Sequence, residues 1–180
     1  EEIWNEYNGR WQDLEVDALK LIDKFQLTNH EEQAEIPFIP IGKEREVVIK
    51  QRINQSLFRN MVLSAYNNTC CITGLARPEL IEACHIIDWA DDEKNRINPC
   101  NGLAMNVLFH RAFDKLYLGI STDLRVIISD KLYDGLRGKD KDKTYEIFNP
   151  YNGKNIMLPK KFKPNIEFIE KQYTKFTNAR

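Results

Sequence analysis

Apolar residues recur at helical spacing in two stretches of the first 66 residues. Over about 10–26 they fall every three or four positions: Trp11, Leu14, Ala18, Leu21, Ile22 and Phe25. This spacing predicts an amphipathic helix, and a similar series predicts a second helix over about 45–66. The intervening residues 27–46 are mostly polar and contain Pro37 and Pro40, which predicts a linker or an irregular extended segment.

The middle of the chain alternates short apolar runs with polar segments. Residues 80–87 predict a strand, residues 88–99 a charged loop, and residues 102–105 a second short strand. Asn106 is a suitable N-cap for a helix that runs from 107 to about 117. The predicted order over about 79–117 is therefore strand, loop, strand and helix, which is a ββα unit.

The last third of the chain predicts shorter elements. Two strands near 117–121 and 124–129 predict a small antiparallel hairpin. The alternating Lys and Asp of residues 139–143 predict an exposed loop, and Pro164 is suited to the first turn of a last helix. The predicted fold class is α+β, with a ββα core, flanking helices and the hairpin.

The composition indicates which classes of protein this chain can belong to. At 42 % apolar and 11 % aromatic over 180 residues, the chain can bury the core of a domain. It contains no apolar run long enough for a membrane span, and its N-terminus lacks the pattern of a secretory signal. The number and spacing of its cysteines predict free thiols in a cytoplasmic protein. The alternative is a zinc site that all of the cysteines build together. They are Cys70, Cys71, Cys84 and Cys100.

The net charge of −1 hides a strong asymmetry along the chain. Residues 1–46 carry 5 basic and 12 acidic side chains, whereas residues 131–180 carry 12 basic and 6 acidic ones. Such asymmetry is typical of proteins with one side facing a polyanion. The alternative is that the Lys-rich end is simply a solvated surface.

Four polar residues of the ββα segment suggest metal-assisted chemistry. His85 ends the first predicted strand, Asn101 follows 16 residues later, and His110 nine residues after that. A neutral His can act as a general base near pH 7. Asp114 follows His110 at i+4, so both side chains share a helix face and can reach one divalent cation.

A longer pattern surrounds these residues. It is Arg52-x-x-Gln55-x-x-Phe58-Arg59, then Tyr66-Asn67-x-x-Cys70-x-x-Thr73-Gly74, then Glu82-Ala83-x-His85-Ile86, then Arg96-x-Asn98-Pro99-x-Asn101-Gly102-Leu103, then His110-x-Ala112-Phe113-Asp114. Over about 45–130 this pattern resembles the restriction-type HNH endonucleases. The resemblance implies a ββα-metal core, also called the HNH or His-Me finger, and hydrolysis of phosphodiester bonds in DNA.

The resemblance also assigns roles to residues. It implies that His85 is the general base and that His110 and Asp114 hold the metal. Asn101 either braces the loop that carries the base or contributes at the metal. The candidates for contacts with DNA phosphates are Arg52, Arg59, Arg96 and Arg111. For Arg52 and Arg59, ion pairs that hold the second helix to the core are the alternative.

The resemblance further implies a cofactor, a partner and a domain division. The expected cofactor is a divalent metal ion, Mg²⁺ first, with Mn²⁺, Ni²⁺ or Zn²⁺ as alternatives. The expected partner is double-stranded DNA; a homodimer and a separate recognition or sensor domain fit the same interpretation. We expect residues 1–44 to be an accessory helix and linker, and residues 45–180 to be the nuclease domain.

One position departs from the family pattern and leaves alternatives open. Cys84 stands directly before His85, where many HNH sites carry an acidic or histidine metal ligand. Either the site uses fewer protein ligands, or Cys84 is simply a small apolar residue. A degenerate, inactive HNH core that only binds nucleic acid is one rival function. A non-specific, toxin-like nuclease acting on DNA or RNA is another.

Overall fold

The computed structural model describes residues 6–7, 9–26 and 43–180. The helices are α1 (Trp11–Gln26), α2 (Lys43–Ala65), α3 (Val107–Asp114), α4 (Gly138–Phe148) and α5 (Ile166–Ala179). The strands are β1 (Ile81–His85), β2 (Gly102–Asn106), β3 (Leu118–Ile120) and β4 (Val126–Ile128). Within these residues β1 pairs with β2 and β3 with β4, both antiparallel. The predicted α+β class, with a ββα core and a small hairpin, is confirmed.

The β1–β2 ladder positions one end of the first strand against helix α2. Its register runs from Ile81 opposite Asn106 to His85 opposite Gly102. A Cβ added at Gly102 would lie 2.3 Å from Cγ2 of Val62 and 3.0 Å from Cζ of Phe58. The absence of a side chain at this position therefore lets α2 pack directly on the end of the ladder, beside His85.

Helix α3 begins where the sequence predicts and ends earlier. The Asn106 side chain accepts a hydrogen bond of 3.0 Å from the backbone N–H of Phe109, which makes it the N-cap. The helix was expected to reach about 117 but ends at Asp114, because Leu116 adopts a left-handed conformation with φ of 56°. This turn redirects the chain into β3 within two residues.

Two predictions about the C-terminal third are wrong. Residues 139–143, expected to form a loop, lie in helix α4, which is anchored by Phe148 packing on Phe109 at 4.9 Å between ring centroids. Pro164 lies before helix α5 rather than in its first turn. Asn165 is the N-cap, and its side chain accepts a hydrogen bond from Glu167 N–H at 2.8 Å.

One buried apolar cluster joins α2, both strand pairs, α3 and α5. Its members include Phe58, Val62, Leu103, Met105, Phe109, Leu118, Ile120 and Ile169. The cysteines are free thiols, and Cys84 is the one cysteine that joins a possible ligand cluster in the described part of the chain. No helix among the described residues is long and apolar enough to cross a membrane. Residues 27–42 of the predicted linker, with His30, lie outside the described residues, whereas residues 43–46 belong to α2 rather than to a linker. The Arg52 side chain is also outside the described part of the chain, and the boundary at 44/45 stays a prediction.

Candidate active site of the ββα unit

The His85 ring is held between two aromatic side chains and a backbone carbonyl. Phe58 of α2 stacks on the ring at 3.6 Å between centroids and 11° between planes, and Trp89 meets it edge-on at 5.6 Å. The Nε2 atom lies 2.9 Å from the carbonyl oxygen of Arg96. Because a carbonyl only accepts, this contact assigns the proton to Nε2 and leaves Nδ1 as the free basic nitrogen.

The surroundings of His85 favour its neutral form. Burial lowers the pKa of His85, and this influence exceeds those of the Arg96 carbonyl and of Asp88, which raise the pKa. Desolvation disfavours the imidazolium because the charged ring loses its hydration. The ring is therefore an available proton acceptor at neutral pH, which is what a general base requires.

Asn101 braces the loop between β1 and β2. Its Oδ1 atom accepts from Ile87 N–H at 2.8 Å, and its Nδ2 atom donates to the carbonyls of Ile87 at 3.1 Å and Asn95 at 3.3 Å. The residue is only 1 % exposed. These bonds close the loop whose Arg96 carbonyl contacts His85, so Asn101 is linked to His85 through the backbone of this loop.

Three side chains on the other face of β1 come together as a candidate metal site. Successive strand residues point to opposite faces, so Cys84 faces α3 whereas His85 faces α2. A ligand atom from each of Cys84, His110 and Asp114 lies within 4.8 Å of the others. His110 Nε2 lies 3.5 Å from Asp114 Oδ1 across one helical turn. Among the described residues, this is the cluster that could hold an ion.

The chemistry of these three donors fits a divalent transition metal. A thiolate sulfur, an imidazole nitrogen and a carboxylate oxygen form a mixed set that suits Zn²⁺ and its neighbours, whereas Mg²⁺ prefers oxygen ligands. Three protein ligands also leave a coordination position open for substrate or water. Burial raises the pKa of the Cys84 thiol, and the negative charge of Asp114 raises it further by a smaller amount. Burial thus favours the neutral thiol. A thiolate at Cys84 would depend on the positive charge of a bound cation for its stability.

Both histidines open onto one cleft of about 300 Å³ between α2 and β1. Its lining residues are Gln55, Phe58, Arg59, Glu82, Ala83, His85, Trp89 and His110. A larger cleft, about 600 Å³, lies beside Asn106 and Tyr151 and contains none of the predicted site residues. Of these two clefts, the smaller one is therefore the one that brings the predicted site residues His85 and His110 together.

A comparison with protein families finds a match over the segment that contains this site. Residues 70–121 match the family model described as HNH endonuclease. That segment is therefore similar to the HNH endonucleases. It contains β1, the braced loop, β2, α3 and β3, and thus every member of the site except those on α2. A comparison with curated proteins finds no match to this chain.

The arginines predicted to contact DNA differ in their surroundings within the HNH domain and α2. Arg59 lines the cleft and donates a hydrogen bond of 2.9 Å from Nη2 to the Ile81 carbonyl. Arg96 donates from Nε to the Trp89 carbonyl at 3.0 Å, and its guanidinium lies 5.2 Å from the centre of the Trp89 ring. Arg111 is exposed on α3. The structure thus places Arg59 at the cleft, whereas the Arg96 side chain binds to Trp89 within the loop between β1 and β2.

Sequence reasoning missed three residues that shape the HNH site. Phe58 and Trp89 hold the His85 ring. Glu82 lies 2.6 Å from Nδ1 of His110 and was assigned no role. The signal for Glu82 was its position two residues before Cys84, which places both side chains on the same face of a strand.

Proposed function

We propose that this chain is a metal-dependent DNA endonuclease of a restriction or phage-defence system. The match of residues 70–121 to the family model described as HNH endonuclease supports a nuclease that acts on nucleic acid. The observation that carries the proposal is the cleft where His85 presents a free basic nitrogen beside His110 of the Cys84–His110–Asp114 cluster. A phosphodiester in that cleft would meet a base on one side and a metal site on the other.

In the proposed mechanism His85 Nδ1 accepts the proton of the water that attacks phosphorus. Phe58 and the Arg96 carbonyl keep the ring in one orientation while the proton is transferred. Cys84, His110 and Asp114 would hold the divalent ion, which when bound neutralises charge on the phosphate and on the leaving oxygen. Asn101 keeps the loop in place as a positioning residue.

The proposed DNA contacts involve the cleft and the basic end of the chain. Arg59 and Arg111 are the candidates for phosphate binding, and Arg52 remains one by its place in the sequence. Residues 131–180 carry twice as many basic as acidic side chains, 12 against 6, which favours a polyanionic partner. Double-stranded DNA, a homodimer and a separate recognition domain are parts of this proposal, as is the division into residues 1–44 and 45–180.

Plasmid cleavage with and without EDTA tests the function. We expect nicking or linearisation that EDTA abolishes and that one of Mn²⁺, Ni²⁺, Zn²⁺ or Mg²⁺ restores. RNA and methylated or unmethylated DNA, assayed in parallel, separate a DNA endonuclease from a non-specific nuclease. Specific metal binding without cleavage of any of these substrates would contradict the proposal and favour the inactive binding module.

We further propose that Cys84 is a metal ligand and that a transition metal ion, rather than Mg²⁺, is resident. Cobalt titration should then give a thiolate-to-Co²⁺ charge-transfer absorption in the near ultraviolet. The band should be lost in Cys84→Ala and kept in Cys100→Ala, since Cys100 lies outside the cluster. Unchanged spectra of Cys84→Ala at saturating Co²⁺ would show that the thiol is only a packing residue.

A further inference from the structure

The Glu82 carboxylate makes a short contact with the proposed metal ligand His110. Its Oε2 atom lies 2.6 Å from Nδ1 of the imidazole, within the range of strong, charge-assisted hydrogen bonds. The Glu82 side chain is 43 % exposed and the His110 side chain is 22 % exposed. Both residues line the cleft that also contains His85, so this pair lies at the site rather than on a remote surface.

The position of Glu82 follows from the pleat of β1. Glu82 and Cys84 are two residues apart and therefore share the strand face that meets α3. The imidazole of His110 contacts both elements: Nδ1 faces Glu82 of β1, and Nε2 lies 3.5 Å from Asp114, one turn further along α3. The two ring nitrogens thus face different partners, one outside the ligand cluster and one inside it.

This arrangement determines which nitrogen of His110 is available to a metal. A carboxylate can only accept, so the Glu82 contact places the proton on Nδ1. The Nε2 lone pair is then free, and Nε2 lies 3.5 Å from Asp114 Oδ1. Carboxylates that accept from the second nitrogen of a ligating histidine fix the tautomer and ring orientation and make the ligand more basic.

We propose that Glu82 is a positioning residue of the metal site, acting through His110. It holds the imidazole as the Nδ1–H tautomer and so presents Nε2 to the ion. Direct coordination by Glu82 is disfavoured because Oε2 is engaged by Nδ1 and Glu82 lies outside the cluster of Cys84, His110 and Asp114. The inference rests on the proposed metal site, and it adds Glu82 to the residues that position that site.

Zinc titration by calorimetry tests the role of Glu82. We expect Glu82→Ala to bind Zn²⁺ about 10–100-fold more weakly than the wild type. Glu82→Gln should lose less affinity, because its amide oxygen still accepts from Nδ1–H without supplying charge. Glu79→Ala is the matched control, since Glu79 is exposed and pairs with Arg77 at 3.0 Å; its affinity should equal that of the wild type.

Nitrogen NMR of the imidazoles gives a readout that does not depend on activity. The metal-free wild type should show His110 as the Nδ1–H tautomer, and Glu82→Ala should show a tautomer mixture with unchanged backbone spectra. Equal zinc affinity of wild type and both Glu82 variants would overturn the inference while leaving the metal site intact. A wild type that binds no Zn²⁺, Co²⁺, Ni²⁺ or Mn²⁺ would instead overturn the metal site and, with it, this inference.

Discussion

Replacing His85 with alanine should lower the rate of metal-dependent plasmid cleavage by about 10²–10⁴-fold, the usual contribution of a general base. This loss corresponds to about 3–5 kcal/mol of transition-state stabilisation. The reason is geometric, because Nε2 is tied to the Arg96 carbonyl and only Nδ1 can accept the proton of water. Single-turnover cleavage at saturating metal ion measures the effect on the chemical step.

The controls for this variant separate chemistry from binding. Metal affinity and binding of a labelled DNA duplex should stay close to the wild type, because His85 faces α2 and lies outside the Cys84–His110–Asp114 cluster. Added imidazole should restore part of the activity by entering the space vacated beside Phe58. Cleavage by His85→Ala at the wild-type rate would show that another group is the base.

The strands β1 and β2 and the first residue of α3 could be predicted because the sequence signals for them are local. Short apolar runs predicted β1 and β2, and Asn106 marks the start of α3 by a hydrogen bond within its own first turn. The α4 helix was missed because its Lys and Asp residues indicate only exposure. Its position depends on Phe148 meeting Phe109, 39 residues away in the sequence, and no local pattern reports such a contact.

The site shows the same division between local and tertiary information. The i+4 spacing of His110 and Asp114 predicts a shared helix face, and the structure places their side chains 3.5 Å apart. Whether Cys84 joins them depends on which face of β1 meets α3, which is set by packing of the whole domain. The same is true of Arg96, whose guanidinium packs on Trp89 although its sequence position suggested a phosphate contact.

Replacing Asn101 with alanine should give the largest loss of stability among the changes considered. The substitution leaves the Ile87 N–H and the Ile87 and Asn95 carbonyls without their side-chain partner. Each buried polar group left unpaired costs about 1–3 kcal/mol, so urea unfolding should show a loss of about 2–5 kcal/mol. The Ile87 amide should also exchange its hydrogen faster. Asn60→Ala, at an exposed position of α2, is the matched control and should change neither quantity.

Asn101→Asp distinguishes the brace from a metal ligand, the two roles that the sequence left open. An aspartate can accept from Ile87 N–H but cannot donate to the carbonyls of Ile87 and Asn95. If Asn101 is a brace, Asn101→Asp should be destabilised like Asn101→Ala, and both should cleave more slowly because the Arg96 carbonyl no longer fixes His85. If it were a ligand, the added carboxylate would preserve or strengthen metal binding. Wild-type stability together with raised metal affinity in Asn101→Asp would therefore contradict the brace. We expect the opposite because all of the polar atoms of the Asn101 side chain are already bound to the loop.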